Sequence, residues 1–289
     1  MFNGGLKNQL NAISRLFWPS SVTITLTGST ITAQQHAKSS KSHVAVHYFT
    51  HHAGAQSELF YAEVDAFLQQ LFSQPSWQKR GTSIVLGADL VRYFLVQPFS
   101  NARHLQDSID AATHRFQQLY GKDDLKEWDI QGHWSIDQRF LACAVPKKLL
   151  QQLQQCAQHS SFQIDAITPQ FVFAWNCLHH HLSARQWLLL NEGTHLVLGM
   201  LDHTGLVSVR VIARQVQTNT PTENLTEILK REALSFDLPL PETVVLCGAM
   251  EAQWIDCKQP AIIQSGKLKK KNIKGRDICT TPILTEQSV

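Results

Sequence analysis

Residues 187–212 read WLLLNEGTHLVLGMLDHTGLVSVRVI. Three apolar runs, 187–190, 195–201 and 206–212, are separated by the short polar stretches NEGT (191–194) and DHTG (202–205). Glycine-bearing polar stretches of this length between apolar, β-branched runs predict three consecutive antiparallel strands. The unit continues in residues 222–234, where Leu225, Ile228, Leu229 and Ala233 fall on one helical face. ETVVLCGA (242–249) then reads as a buried strand ending at Gly248.

The same order stands at the other end of the chain. SVTITLTGSTITAQ (21–34) is β-branched around a single glycine and predicts two strands joined at Gly28. A polar loop (35–43) and the strand HVAVHYF (43–49) follow. Residues 57–73 predict a helix with Leu59, Phe60, Val64, Phe67, Leu68 and Leu71 on one face. SIVLG (83–87) and LVRYFLVQP (90–98) are the next strands.

Between these halves lies a smaller block. Leu105, Ile109, Ala112, Phe116 and Leu119 mark a helix, and Trp128–Gln131 and Arg139–Val145 mark two strands. Pro146 opens a helix carrying Leu149, Leu150, Leu153 and Ala157 inward. FQIDAI (162–167) is a strand, and Pro169 opens a helix through Leu182. The expected class is α/β, with two similar halves around an inserted α+β module. The expected segments are an N-terminal helix (1–20), a first lobe (21–98), the module (99–168), a second lobe (169–265) and a basic, disordered tail (266–289).

Composition narrows the functional classes. A chain of 289 residues buries roughly three quarters of its unfolded surface and needs no covalent staples. The net charge of +3 is concentrated at one end: residues 266–289 carry six Lys and Arg against Asp277 and Glu286, and removing that +4 leaves the body near −1. A nucleic-acid-binding fold would line a folded face with its basic residues, so that class is disfavoured. The basic tail remains a candidate for an anionic membrane surface or an acidic partner. So does the segment before Pro19, where Leu6, Leu10, Ile13 and Phe17 form a helical stripe ending at Trp18. No signal-peptide layout or membrane span is expected. The six cysteines, Cys143, Cys156, Cys177, Cys247, Cys257 and Cys279, form no CxxC pair and read as small buried hydrophobes of a reducing compartment.

The element order resembles the actin-like (ribonuclease-H-like) fold of the actin, Hsp70 and sugar-kinase superfamily. Within it, the chain resembles the PilM family of type IV pilus machines and the cytoplasmic part of the GspL family of type II secretion. SIVLGADLVRYFLVQPF (83–99) and AVPKKLLQQLQQCAQHSSFQIDAITPQFVFAWN (144–176) are similar to the strand pair and the inserted module of those relatives. The resemblance implies a two-lobed fold in which each lobe opens with a hairpin around the nucleotide phosphates and metal. The first is Thr25-Leu26-Thr27-Gly28-Ser29-Thr30, without the acidic residue expected of an Asp-x-Gly-Ser/Thr loop. The second is Asn191-Glu192-Gly193-Thr194, with Asn where Asp is expected. The adenosine-side motif, Val244-Val245-Leu246-Cys247-Gly248-Ala249, keeps one glycine of a pair.

Magnesium at phosphates needs hard oxygen ligands, usually carboxylates, and Thr25 and Asn191 are neutral. Thr25, Gly28, Ser29, Asn191, Gly193, Thr194 and Gly248 are therefore expected to be the positions of a degenerate nucleotide cleft. No working cofactor or metal is expected, with ATP binding without hydrolysis left open. The resemblance implies a cytoplasmic scaffold, peripheral to the inner membrane, of an MSHA-like type IV pilus or type II secretion platform. Its partner would be the short cytoplasmic segment of a single-span, PilN-like membrane protein. The alternative is an active ATPase or small-molecule kinase using Ser29 or Thr30 with Thr194.

Other constellations are weaker. GxSxG, GxxxxGK[ST] and GxGxxG are all absent. His43, His47, His51 and His52 cluster in sequence and His179, His180 and His181 run together. Adjacent helical residues diverge, however, so neither group predicts a metal site. Asp89 and Asp165 stand near predicted strand ends and read as turn or capping residues rather than general bases.

Overall fold

The computed structural model describes residues 22–35, 44–49, 57–78, 81–160, 162–214, 225–248, 254 and 260–265. The expected N-terminal helix and basic tail, together with His43, His51, His52, Cys257 and Cys279, lie outside the described residues.

Period-2 patterning builds the first sheet. Val22, Ile24 and Leu26 of β1 (Val22–Leu26) and Ile31 and Ala33 of β2 (Thr30–Gln35) are buried, with half-buried residues alternating between them. The two strands pair antiparallel, Thr25 opposite Thr32 and Leu26 opposite Ile31. β3 (Val44–Tyr48) pairs antiparallel with the far side of β2. Helix α1 (Glu58–Ser73) starts where the Ser57 hydroxyl accepts the Phe60 amide. It buries Phe60, Tyr61, Val64, Leu68, Leu71 and Phe72. The buried face is rotated from the expected stripe: Leu59 is 52% exposed, while Tyr61 and Phe72 take inward places. β4 (Gly81–Leu86) then pairs parallel with β1.

The chain leaves this sheet through a 3-10 turn, Ala88–Leu90, and β5 (Arg92–Val96). Helix α2 (Leu105–Tyr120), β6 (Trp128–Gly132) and β7 (Phe140–Pro146) follow, and the three strands form a sheet in the order β5-β7-β6. α3 (Lys147–His159) packs beside α1, where the Cys156 thiol donates to Asp65 Oδ1 at 2.8 Å and Lys148 pairs with Glu58. β8 (Gln163–Pro169) returns to pair parallel with β4. Sheet membership thus differs from the boundaries drawn at 98 and 168. β5 belongs with β6 and β7, and β8 belongs with the first sheet. Parallel pairing is a non-local choice that no residue pattern within β8 encodes.

The second unit repeats the plan. Helix α4 (Gln170–Leu178) leads to β9 (Gln186–Asn191), β10 (His195–Asp202) and β11 (Gly205–Ala213), an antiparallel series. α5 (Leu225–Ser235) follows, then β12 (Thr243–Gly248), parallel to β9. A short strand the sequence did not suggest, β13 (Ala261–Gln264), pairs parallel with β12. α5 lays Leu225, Ile228, Leu229 and Ala233 on Trp187, Leu189, Leu198, Val244 and Leu246. Each such Leu or Ile contributes about 1.5–3 kcal/mol of transfer free energy, offset by conformational entropy.

The two five-stranded sheets have orders β3-β2-β1-β4-β8 and β11-β10-β9-β12-β13. In both, two antiparallel pairings are followed by two parallel ones, and a helix precedes the fourth strand in the chain. The repetition expected from the hydrophobic pattern is therefore one of topology. Contacts divide the chain into two compact units, and each five-stranded sheet falls within one of them.

Candidate functional site

The first hairpin turn lies in the first unit. Thr25 sits inside β1, between Thr32 of β2 and Val85 of β4, with its side chain half-buried. Gly28 and Ser29 form the turn itself. The Thr27 amide donates to the Thr30 carbonyl at 2.9 Å, closing the hairpin. Thr27 Oγ1 accepts the amides of Ser29 at 3.3 Å and Thr30 at 2.9 Å. The Gly28 amide donates to Oδ2 of Asp89 at 2.6 Å. Each amide from Thr27 to Thr30 therefore has an acceptor inside the protein.

Asp89 is the carboxylate that the hairpin lacks in its own sequence, brought in from 61 residues away. The expected capping role is correct in kind, but the capped turn belongs to another hairpin. Asp165 behaves differently. β8 shifts register against β4 so that Ile164 faces Thr82 and Ala166 faces Ser83, leaving Asp165 as the extra residue of a bulge. Its carboxylate lies over Gly81, where a Cβ would come 2.2 Å from Oδ2.

The second hairpin turn lies in the second unit. Asn191 ends β9, is 2% exposed, and stands beside Gly248 of β12 in the parallel register. Its Oδ1 accepts the Gly193 amide at 3.0 Å, an Asx turn on its own backbone. Glu192 donates to the His195 carbonyl at 2.9 Å and Thr194 to the Glu192 carbonyl at 3.1 Å. Arg214 straps the turn, its amide on the Thr194 carbonyl at 2.8 Å and Nη1 on the Gly193 carbonyl at 3.4 Å. Gly193 has φ +82° and Gly248 φ +99°, left-handed values that favour glycine. Thr194 is exposed, and its hydroxyl meets His195 Nδ1 at 3.1 Å.

The remaining candidates are packing elements. Cys143 and Cys156 are buried, and burial pushes both thiols up to about 12, with the Asp65 hydrogen bond adding to the effect at Cys156. Such thiols carry no nucleophilic thiolate near neutral pH. His47 stacks on Phe67 with centroids 5.7 Å apart. His179 stacks on Trp175 at 5.6 Å and shares its Nδ1 with the Trp175 carbonyl at 3.0 Å. Its pKa is lowered, chiefly by burial and then by His180 and His133 nearby. Among the described residues no group of three or more His, Cys, Asp or Glu is placed to hold a metal, and no helix is long and apolar enough to cross a membrane.

No family model matches the chain, and no curated protein matches it in sequence. Solved structures do. A Bacteroides thetaiotaomicron protein of unknown function with an actin-like ATPase fold superposes with a TM-score of 0.51 at 10% identity, over 82% of this chain and 84% of that one. The fold is actin-like. The cytoplasmic domain of EpsL, an inner-membrane component of the type II secretion system of Vibrio cholerae, gives a TM-score of 0.50 at 9% identity over 88% of both chains. A chain of a PilM–PilN type IV pilus biogenesis complex gives 0.48 at 11% identity, over 76% of this chain and 66% of that one.

The group that the fold implies, a magnesium nucleotide, does not fit the residues present in these turns. A phosphate cradle presents backbone N–H groups to phosphate oxygens. Here the amides of Thr27–Thr30 and of Glu192–Thr194 are committed to acceptors of the chain itself. Thr25 and Asn191 offer the metal no carboxylate, and Asn191 spends its side-chain oxygen on Gly193.

Proposed function

We propose that this protein is an actin-like scaffold of an inner-membrane assembly platform, of the kind that serves type IV pili or type II secretion. It works at the cytoplasmic face, holds the short cytoplasmic segment of a single-span membrane partner, and does not hydrolyse ATP. The observation that carries the non-enzymatic part is the closure of both hairpin turns. With those amides committed, neither turn can stabilise the charge that develops during phosphoryl transfer. The platform assignment is supported by the likeness to the EpsL cytoplasmic domain, which extends over 88% of both chains.

The test has two arms on the purified full chain. One titrates, by calorimetry, a synthetic peptide for the cytoplasmic segment of a single-span inner-membrane protein encoded beside this chain. Saturable one-to-one binding is expected, and no binding by any such neighbour counts against the scaffold role. The other measures melting temperature and phosphate release with millimolar Mg-ATP. A ligand of the native state raises stability by RT ln(1 + [L]/Kd). No shift and no phosphate are expected, and a shift of several degrees with steady phosphate release would establish an ATPase instead.

A further inference from the structure

We infer that the first hairpin turn is an oxyanion site whose resident anion is the chain's own Asp89, so that a phosphate or pyrophosphate is admitted only when that carboxylate is withdrawn. The inference rests on the non-hydrolytic reading of the same turn and names what closes it.

A carboxylate oxygen and a phosphoryl oxygen make the same demand on a backbone amide: a short, charge-assisted hydrogen bond. The Gly28 amide makes that bond to Asp89 Oδ2 at 2.6 Å. The route by which Asp89 arrives is built into the backbone. The Gly87 amide donates to the Leu26 carbonyl at 2.7 Å, carrying the β1–β4 pairing one step past the strand end. A Cβ on residue 87 would stand 2.9 Å from Thr27 Cγ2, so glycine permits this approach. The 3-10 turn Ala88–Leu90 then reverses the chain, with the Leu90 amide on the Gly87 carbonyl at 3.1 Å. Ala88 and Leu90 are both buried and hold Asp89 between them over the turn.

The consequence is competition. The place at the Gly28 amide is filled by a tethered group, so a free anion must compete against an intramolecular contact. A second anion brought to the same amide also meets the charge of Asp89. Removing the carboxylate frees the Gly28 N–H in a turn where Thr27 Oγ1 lies 3.3 Å from the Ser29 hydroxyl and 3.0 Å from the Thr30 hydroxyl. That is a donor set suited to a small, weakly bound oxyanion.

The experiment follows the Gly28 amide resonance in the 15N-labelled full chain of wild type, Asp89→Gly and Asp89→Asn, titrated with millimolar inorganic pyrophosphate. In wild type the resonance is expected downfield and unmoved. In Asp89→Gly it is expected to move upfield and then to titrate and saturate with pyrophosphate. Asp89→Asn, which keeps the size of the side chain and loses its charge, is expected to lie between, and it serves alone where Asp89→Gly does not fold. A wild-type resonance that titrates overturns the inference, as does a folded charge-free variant that ignores pyrophosphate. Either result leaves the scaffold role to the peptide and Mg-ATP assays on wild type.

Discussion

The ring of Phe171 lies against the α-carbon of Gly199, so closely that a Cβ at 199 would stand 2.6 Å from the ring Cζ. Phe171, near the start of α4, is fully buried and stacks edge-on against Tyr93, so it has nowhere to retreat. Gly199→Ala gains about 0.4–1 kcal/mol by stiffening the unfolded chain. Overpacking against a fixed ring costs about 1–3 kcal/mol and wins. Urea unfolding should show net destabilisation, partly recovered by adding Phe171→Leu. An additive double mutant would mean that the two residues do not meet.

Much of the fold was legible because its information is local. The alternation of Val22, Ile24 and Leu26 and the glycine at 28 specify a hairpin without help from the rest of the chain. The α5 stripe, Leu225 to Ala233, did the same for a helix. What the sequence could not show is non-local. β13 has four residues and becomes a strand by pairing with β12. β8 has an evident strand pattern, but its choice of β4 rests on parallel register and a bulge at Asp165. The candidate site divides the same way. Gly28 and the NEGT stretch read as turns from their chemistry, and the resemblance alone marks Asn191 and Gly193 as cleft positions, whereas the acceptor that fills the Gly28 amide is 61 residues distant, and its own surroundings in the sequence imply only a local role. The expected face of α1 holds at Phe60, Val64, Leu68 and Leu71 and differs at its margins, where two stripes compete, one with Leu59 and Phe67 and one with Tyr61 and Phe72. Phe49, just past the end of β3, favours the second: Phe60 meets Phe49 edge-on and meets Tyr61 the same way.

The burial of Cys156, with its hydrogen bond to Asp65, predicts an alkaline loss of stability. The folded thiol is pushed up to about 12, while an unfolded thiol titrates near about 8.5. A raised folded pKa contributes stability that is complete below the unfolded value and is lost as pH rises toward the folded one. Stability should therefore fall between about pH 8.5 and 12. Cys156→Ser keeps a donor for Asp65 and does not titrate there. Its unfolding free energy should fall less than that of wild type from pH 8 to 10, by about 1–2 kcal/mol. Equal slopes would show that Cys156 does not titrate differently on folding.

His179 predicts the opposite flank. Its folded pKa is lowered, chiefly by burial, so the unfolded chain takes up the proton first as pH falls. The linked stability is present above the unfolded value, about 6.5, and is lost as pH falls through the folded pKa. His180 and His133 nearby add to the lowering. His179→Phe keeps a ring to stack on Trp175 and removes the titration. Melting temperatures from pH 7.5 to 5.5 should decline less in the variant, and an unchanged decline would place the acid sensitivity elsewhere.

Asn191 separates a turn built for its own closure from one waiting for a metal. Its Oδ1 holds the Gly193 amide in a buried position beside Gly248. Asn191→Ala leaves that amide without this acceptor and should cost about 1–3 kcal/mol. Asn191→Asp keeps an acceptor at the same place and restores the residue type that a nucleotide-binding relative would carry. If a missing carboxylate were all that separated this hairpin from function, Asn191→Asp would gain a thermal shift with millimolar Mg-ATP. The closed turn predicts none, because the amides of Glu192 and Thr194 remain on backbone carbonyls and that of Gly193 remains on residue 191. A Mg-ATP shift of several degrees in Asn191→Asp would show that the turn opens for phosphate, and closure would then no longer support the proposed non-hydrolytic role.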